Sequence, residues 1–480
     1  MCTLNEFEYD VFETDVMPRD RITSVNNVAE SADVKSVCKV CGSKEIQVSL
    51  RNKNEYCKVC FLPILTHKFK ATLGKSKVVR STDSVLIAHS GKVNSTVLVH
   101  LIKANVNETS CKKIPFQCKV LYIDDGLVKK RTIEERQFIR NALVKEAEST
   151  RLLTYIVPLT KYTSDNIDKE IQPVNVPGIN ITQDDVAIQE IFNGLESDTA
   201  RDELLRQLRR RLLVSAARSL NCNKVFLADT SVDLAVKVLG NISTGRGSQL
   251  PFDVAFSDAR CADVTLLRPL KDFTVDDVSG YLDCCKLCPI ITSQKDDHSF
   301  SASIRTVARS FVCQLDSEFY GTVPTIYRTS EKLTARLGKL NNPKININIE
   351  SNIDDNTCIL CETVLNSCCS QDGQLSVIRA KLFSKLVSTT FVESSSSVTD
   401  NEETKSKYNV KQEKCYCLGN PLQKQSLQSY IIKKYLCYSC SLIFLHSNQT
   451  HITLPNFMLN TIQQKLHSMR LRDEISDFLL

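Results

Sequence analysis

The sequence predicts an α/β protein: a doubly wound parallel sheet, preceded by a small zinc ribbon and followed by a cysteine-rich zinc-binding region. Three observations predict it. The stretch Ser84 to Leu101, SVLIAHSGKVNSTVLVHL, reads as a buried strand, a turn of small residues and a helix. Apolar runs then alternate with helical patterns, which is how a parallel sheet covered on both faces is written. And ten of the 21 cysteines fall in five pairs spaced Cys-x-x-Cys: Cys38/Cys41, Cys57/Cys60, Cys285/Cys288, Cys358/Cys361 and Cys437/Cys440.

At 480 residues the chain is long enough for two or three domains with sizeable cores. Its net charge of +6 permits a nucleic-acid partner without demanding one. No apolar run reaches the length of a membrane span, so no membrane partner is expected. The first residues, MCTLNEFEYDVFETD, are acidic and lack the basic-then-apolar order of a signal peptide. An odd cysteine count without such a signal argues against a disulfide framework and for thiols in a reducing, cytoplasmic compartment, where paired cysteines hold metal.

In chain order, residues 1–35 read as a flexible acidic tail. Residues 36–68 form the ribbon. Fifteen residues separate Cys38/Cys41 from Cys57/Cys60, and the alternation Ile46, Val48, Leu50 between them suits a hairpin. Two short turns facing each other close a tetrahedral thiolate shell, so these four cysteines are the first metal site. The α/β domain spans 69–290. Its first strand is Val85 to Ala88, its second Val120 to Ile123 ending at Asp124-Asp125, and its third Leu152 to Leu159. A helix or connector is expected over Phe61 to Lys77, and helices from Asn94 or Ser95 as N-cap and over Glu134 to Glu148. Residues 161–200 read as an inserted excursion.

Leu204, Leu205, Leu208, Leu212 and Leu213 mark an amphipathic helix that also carries Arg201, Arg206, Arg209, Arg210, Arg211 and Arg218. Arg206, Arg209, Arg210 and Arg211 are candidate contacts to a nucleic-acid phosphate backbone. A merely solvated face is the alternative. A fourth strand and helix lie in LNCNKVFLADTSVDLAVKVL, and a fifth strand ends at Arg268-Pro269-Leu270. Residues 291–355 extend this core. In 356–480, Cys358, Cys361, Cys437 and Cys440 are a second candidate Cys₄ site. The Ser/Thr/charged run 387–413 loops out as a disordered insert, and Cys415 and Cys417 compete as ligands.

The turn after the first strand resembles the PP-loop of the adenine nucleotide alpha hydrolase family, Ser-Gly-Gly-x-Asp-Ser. Ser90, Gly91 and Ser95 stand in register, but Lys92 replaces the second Gly and Asn94 the Asp. A Cβ at 92 opposes close backbone approach to a pyrophosphate, and Asn94 lacks the carboxylate that would help hold Mg²⁺. An ordinary strand-to-helix junction would read similarly, since one Gly is a thin signal.

The order ribbon, degenerate loop, ADTSVDLAVKVL, TGRGSQLPFDV, LLRPLKD and LCYSC resembles the cytoplasmic tRNA 2-thiolation protein 2 family from about Cys38 to Phe444. The resemblance implies a PP-loop, HUP-like fold. It also implies a subunit that binds tRNA and pairs with a catalytic PP-loop homologue of the protein 1 type in 2-thiolating the wobble uridine. There the partner would use ATP to adenylate the uracil oxygen, and a thiocarboxylated ubiquitin-related modifier would supply the sulfur. Three departures from the catalytic relatives point to a non-catalytic role. They are the altered loop, the lack of any cysteine between Cys118 and Cys222, and Leu227 to Asp233 (LADTSVD) where those relatives read Gly-His-Asn-x-Asp-Asp. A self-sufficient ATP-dependent tRNA sulfurtransferase and a zinc-ribbon interaction protein are the alternatives. Cys284, Cys285 and Cys288 sit near where catalytic relatives place a further cysteine; a sulfur relay and an incidental cluster are both open.

Overall fold

A computed structural model describes residues 37–51, 54–107, 116–163, 167–176, 183–291, 300–319, 321–333, 357–363, 365, 432, 434–445 and 454–476. The expected tail, the expected insert at 387–413, and Cys415 and Cys417 lie outside the described residues.

The chain opens with a two-stranded hairpin, β1 (Val48–Ser49) and β2 (Glu55–Tyr56), paired antiparallel. Helix α1 (Lys58–Ser76) follows, with Pro63 in its first turns. The repeats then run β3 (Ser84–His89), α2 (Val93–Asn107), β4 (Gln117–Asp124), α3 (Ile133–Thr150) and β5 (Leu153–Pro158). Thr132 and Glu135 close a capping box that sets the start of α3. The stretch expected as an excursion folds into α4 (Ile167–Glu170), β6 (Gln172–Pro173) and α5 (Gln183–Asn193). Next come α6 (Asp198–Ser219), β7 (Lys224–Phe226), α7 (Ser231–Ser243), α8 (Leu250–Asp253), β8 (Ser257–Asp258), β9 (Thr265–Leu267) and α9 (Val275–Cys285). Beyond them are α10 (Ile304–Glu318), α11 (Thr322–Glu331), α12 (Tyr438–Leu445) and α13 (Asn456–Ser476).

The main sheet has the order β6-β5-β4-β3-β7-β9-β8, and its five central strands are parallel. These five are the strands the apolar runs predicted. The two edge strands are antiparallel, which the sequence did not suggest. Each is two residues long, and β6 ends on Pro173, a residue that sheets tolerate at an edge because it donates nothing to the ladder. The order reverses between β3 and β7, which puts the topological switch point of the sheet at the C-terminal ends of those strands, beside the turn at Ser90 to Ser95.

Alternation along the strands divides the interior. Val85 and Ile87 point to one layer with Phe61, Leu65, Phe69 and Leu73 of α1, Leu98 and Leu101 of α2, and Tyr281 of α9. Leu86 points to the other, with Leu204, Leu208 and Leu212 of α6. That second layer also contains Cys358, Cys361, Cys440, Met458 and Ile462, so the C-terminal residues pack into the sheet's own core. Among the described residues no helix is long and apolar enough to cross a membrane.

Candidate metal centres and the altered loop

The hairpin brings the knuckles together as the spacing predicts. The sulfurs of Cys38, Cys41, Cys57 and Cys60 all lie within 4.8 Å of one another. Cys57 sits just before α1, and the N–H groups of Cys60 and Phe61 close a turn on its carbonyl. Backbone N–H groups of Cys41, Cys57 and Val40 hold the Cys38 thiol down at about 6, whereas the Cys41 sulfur and burial push Cys60 up to about 12. Four thiols this close cannot all ionise without a cation between them.

The second group is Cys358, Cys361, Cys437 and Cys440, again within 4.8 Å of one another although nearly eighty residues separate its halves. Cys358, Cys361 and Cys440 are fully buried. Two side chains from the segment Gly245 to Leu250 reach the sulfurs. Arg246 Nη1 lies 3.6 Å from Cys440 Sγ, and Gln249 Nε2 lies 3.4 Å from Cys437 Sγ and 3.6 Å from Cys361 Sγ. Arg246 is itself buried and bound to Glu203 of α6 at 2.8 Å. Four thiolates around a divalent ion carry a net charge of −2, and a buried guanidinium with an amide donor offsets that charge where water cannot.

The sulfur spacing tests what these groups fit. A tetrahedron with metal–sulfur bonds of about 2.3 Å has edges of about 3.8 Å. Cys41 and Cys57 stand 3.6 Å apart, and Cys361 and Cys437 3.7 Å. Both groups therefore fit a single tetrahedral ion. An iron–sulfur cluster spreads its thiolates over a larger cage.

The turn at Ser90 to Ser95 keeps the shape of a phosphate loop but uses its groups internally. Gly91 takes φ +75°, as a non-glycine rarely would. Ser95 Oγ accepts from the Ser90 N–H at 3.2 Å and bonds the Lys92 carbonyl at 2.8 Å. Helix α2 begins at Val93, before the expected caps Asn94 and Ser95, and Ser90 Oγ instead accepts from the Lys92 N–H at 3.4 Å. Asn94 donates to Asp233 of α7 at 2.8 Å, and Arg309 holds the other oxygen of Asp233 at 2.7 Å. Ile291 lies on the turn. Its N–H donates to the Gly91 carbonyl at 2.9 Å, and its side chain lies 3.0 Å from where a Cβ on Gly91 would be. Beyond β7, Asp229 is paired with Lys237 at 2.5 Å and Arg268 at 3.1 Å. Burial would raise its carboxyl, and these two cations keep it below the usual range instead.

The arginines of α6 lie half-buried and turned inward more than the sequence suggests. Arg209 pairs with Asp125, Arg210 with Glu362 at 2.8 Å and Asp258 at 3.6 Å, and Arg206 approaches Glu203 at 3.7 Å. Arg211 stacks over Phe457 at 4.1 Å. Of the six, Arg218 is exposed, on an ion pair with Asp263 at 2.6 Å. Cys284 is buried, Cys285 half-buried and Cys288 exposed. Burial pushes the Cys284 and Cys285 thiols up, away from the thiolate a sulfur relay needs.

Arg246, Gln249, Ile291 and the Asn94–Asp233 contact escaped the sequence reading. The GRGSQ run was visible as a family motif, yet nothing in its spacing ties it to cysteines more than a hundred residues on.

A family model described as cytoplasmic tRNA 2-thiolation protein 2 matches residues 303–442. The protein of that name from Anopheles gambiae is 30% identical over 301 residues, covering 62% of this chain and 71% of the relative. The chain belongs to the cytoplasmic tRNA 2-thiolation protein 2 family. Protein 2-A from Xenopus laevis is 26% identical over 506 residues, covering 95% of this chain and 96% of the relative, so family likeness extends through both Cys₄ groups. Among solved structures, the U34-tRNA thiolase NcsA from Methanococcus maripaludis with its 4Fe-4S cluster shares 19% identity over 64% of this chain and 94% of that one. Its TM-score is 0.45, too slight a likeness to carry an argument.

Proposed function

We propose that this chain is a cytoplasmic, non-catalytic subunit of the machinery that 2-thiolates the wobble uridine of tRNA. In this reading it binds tRNA and a PP-loop partner of the protein 1 type. The partner uses ATP and receives sulfur from a thiocarboxylated ubiquitin-related modifier. Both Cys₄ groups hold structural zinc. Family membership supports the thiolation role, and the closed turn at Ser90 to Ser95 carries the assignment of the non-catalytic part. A working pyrophosphate loop keeps its N–H groups and its acidic residue free for phosphate and Mg²⁺. Here the Ser90 N–H is taken by Ser95, Asn94 is bound to Asp233 of α7, and Ile291 covers Gly91.

The test is tRNA-dependent release of AMP or pyrophosphate by the purified chain. The wild type and the Lys92→Gly/Asn94→Asp double variant should both release none above background, because restoring two residues does not remove Ile291 or Arg309. Thiolated tRNA should form once the partner, ATP and the sulfur donor are added. Release by the chain alone at rates typical of enzymes, about 1 per second or faster, overturns the reading in favour of a self-sufficient sulfurtransferase.

A further inference from the structure

The charge of this chain is unevenly placed. Residues 38–80 contain ten lysines and arginines against Glu45 and Glu55 alone, a net of +8, while the whole chain nets +6. All of the excess positive charge thus belongs to the ribbon and α1, and the remaining residues are slightly acidic. We propose that this ribbon–α1 surface engages the phosphate backbone of tRNA. The proposal rests on the thiolation reading above.

The fold explains why the charge faces solvent. Phe61, Leu65, Phe69 and Leu73 recur every four residues and bury one stripe of α1 against the sheet layer. His67 on the opposite face and Lys75 on the flank are exposed, with Lys77 and Arg80 exposed just beyond the helix. At the other end, Lys58 and Lys44 are exposed beside the knuckles. None of Lys44, Lys58, Lys75, Lys77 and Arg80 forms an ion pair among the described residues, whereas the cations nearer the core do. Lys68 pairs with Asp277 at 2.7 Å, and Arg51 with Asp276 and Asp316. The contrast with α6 decides between the two basic segments. There five of the six arginines are already held by carboxylates at 3.4 Å or less or stacked on Phe457. Breaking such pairs to bind phosphate would cost much of what the new contact returns, while Lys44, Lys58, Lys75, Lys77 and Arg80 have no ion pair to break among the described residues. With 19 residues, α1 is about 28 Å long, so the unpaired cations at its two ends bracket a strip along which a regularly charged backbone can lie.

The test uses the full chain, a tRNA lacking the 2-thio group, and fluorescence anisotropy across a salt series. In the variant Lys44→Gln/Lys75→Gln/Lys77→Gln/Arg80→Gln, affinity near 0.1 M salt should fall roughly tenfold or more. The plot of log affinity against log salt should become shallower by about three, because each lost phosphate contact removes just under one from the slope. The same four positions changed between Lys and Arg should keep wild-type binding, and metal content should stay constant in both. Unchanged affinity and slope in the glutamine variant overturn the proposal. So does loss of the PP-loop partner with tRNA binding intact, which would make the strip a docking face for protein. A separate assay guards the underlying reading. If cells deprived of this chain keep their thiolated wobble uridine, the thiolation role fails. If they lose it, and the glutamine variant restores it while binding tRNA normally, only the strip fails.

Discussion

Arg246 shows what a single residue can settle. A guanidinium with no exposed surface is costly unless its charge is matched, and Glu203 supplies one partner while Cys440 supplies another. Its position therefore fits a negatively charged metal–thiolate group better than four neutral thiols. Arg246→Met should keep the apolar stem but raise the charge cost of that group, so the C-terminal metal should be lost first to a competing chelator, while the ribbon metal stays. Equal retention at both sites would make Arg246 a partner of Glu203 only. Asp202, on the same helix as Glu203, is a second single-residue case. Burial raises its carboxyl to about 6, against about 3.9 for an unfolded chain. The folded state thus binds more protons between pH 4 and pH 6, stability falls as pH rises through that window, and the full cost is present above it. Asp202→Asn should stabilise the protein by about 1–2 kcal/mol near pH 7.5, the weak pair with Arg305 at 3.8 Å subtracting from the gain, and by almost nothing near pH 4. Denaturant melts at the two pH values check it. Neither residue was legible in the sequence: burial of a polar side chain in α6 or in the GRGSQ run depends on partners distant along the chain.

At the scale of elements, the chain was legible wherever periodicity acts locally. The five parallel strands, the amphipathic stripe of α6 and the knuckle-flanked hairpin all follow from spacing. What spacing did not give was the direction of the α6 arginines. An arginine opposite a leucine stripe reads as solvent-facing until another element covers it, and here Asp125, Asp258 and Glu362 come from three separate segments. The join between ribbon and sheet is another such meeting. Gly280 of α9 allows it: a Cβ there would stand 2.8 Å from Val48 of β1 and 3.0 Å from Phe61 of α1. Gly280→Val should therefore destabilise the join by about 1–3 kcal/mol, the usual cost of overpacking. Limited proteolysis should cut the ribbon away sooner in the variant, while its metal content, set by untouched cysteines, stays at the wild-type value. Wild-type cleavage rates would show that the ribbon is anchored elsewhere, for instance by Arg51 on Asp276 and Asp316.

Across the whole molecule the two Cys₄ groups are chemically alike and placed very differently. The first belongs to a ribbon whose small hairpin meets the α/β core through Val48, Phe61 and a few ion pairs. The second lies within the large core layer that also holds Leu86, Leu121 and the leucines of α6, and it is tied to that helix through Glu203–Arg246 and Arg210–Glu362. Metal binding free energy becomes folding free energy only for the residues that need the metal to hold their places. Cys57→Ser and Cys440→Ser should each reduce the metal content from two ions per chain to one, measured by atomic emission. Their stabilities should then diverge. Losing the ribbon ion leaves the sheet and its helices intact, so the main melting transition should move by no more than a few degrees. Losing the C-terminal ion leaves buried thiols and an under-matched Arg246 inside the sheet's own core. A cost of several kcal/mol there lowers the same transition by on the order of 10 °C. Equal shifts in the two variants would mean that the C-terminal segment folds apart from the sheet, and that its cysteines stabilise only themselves.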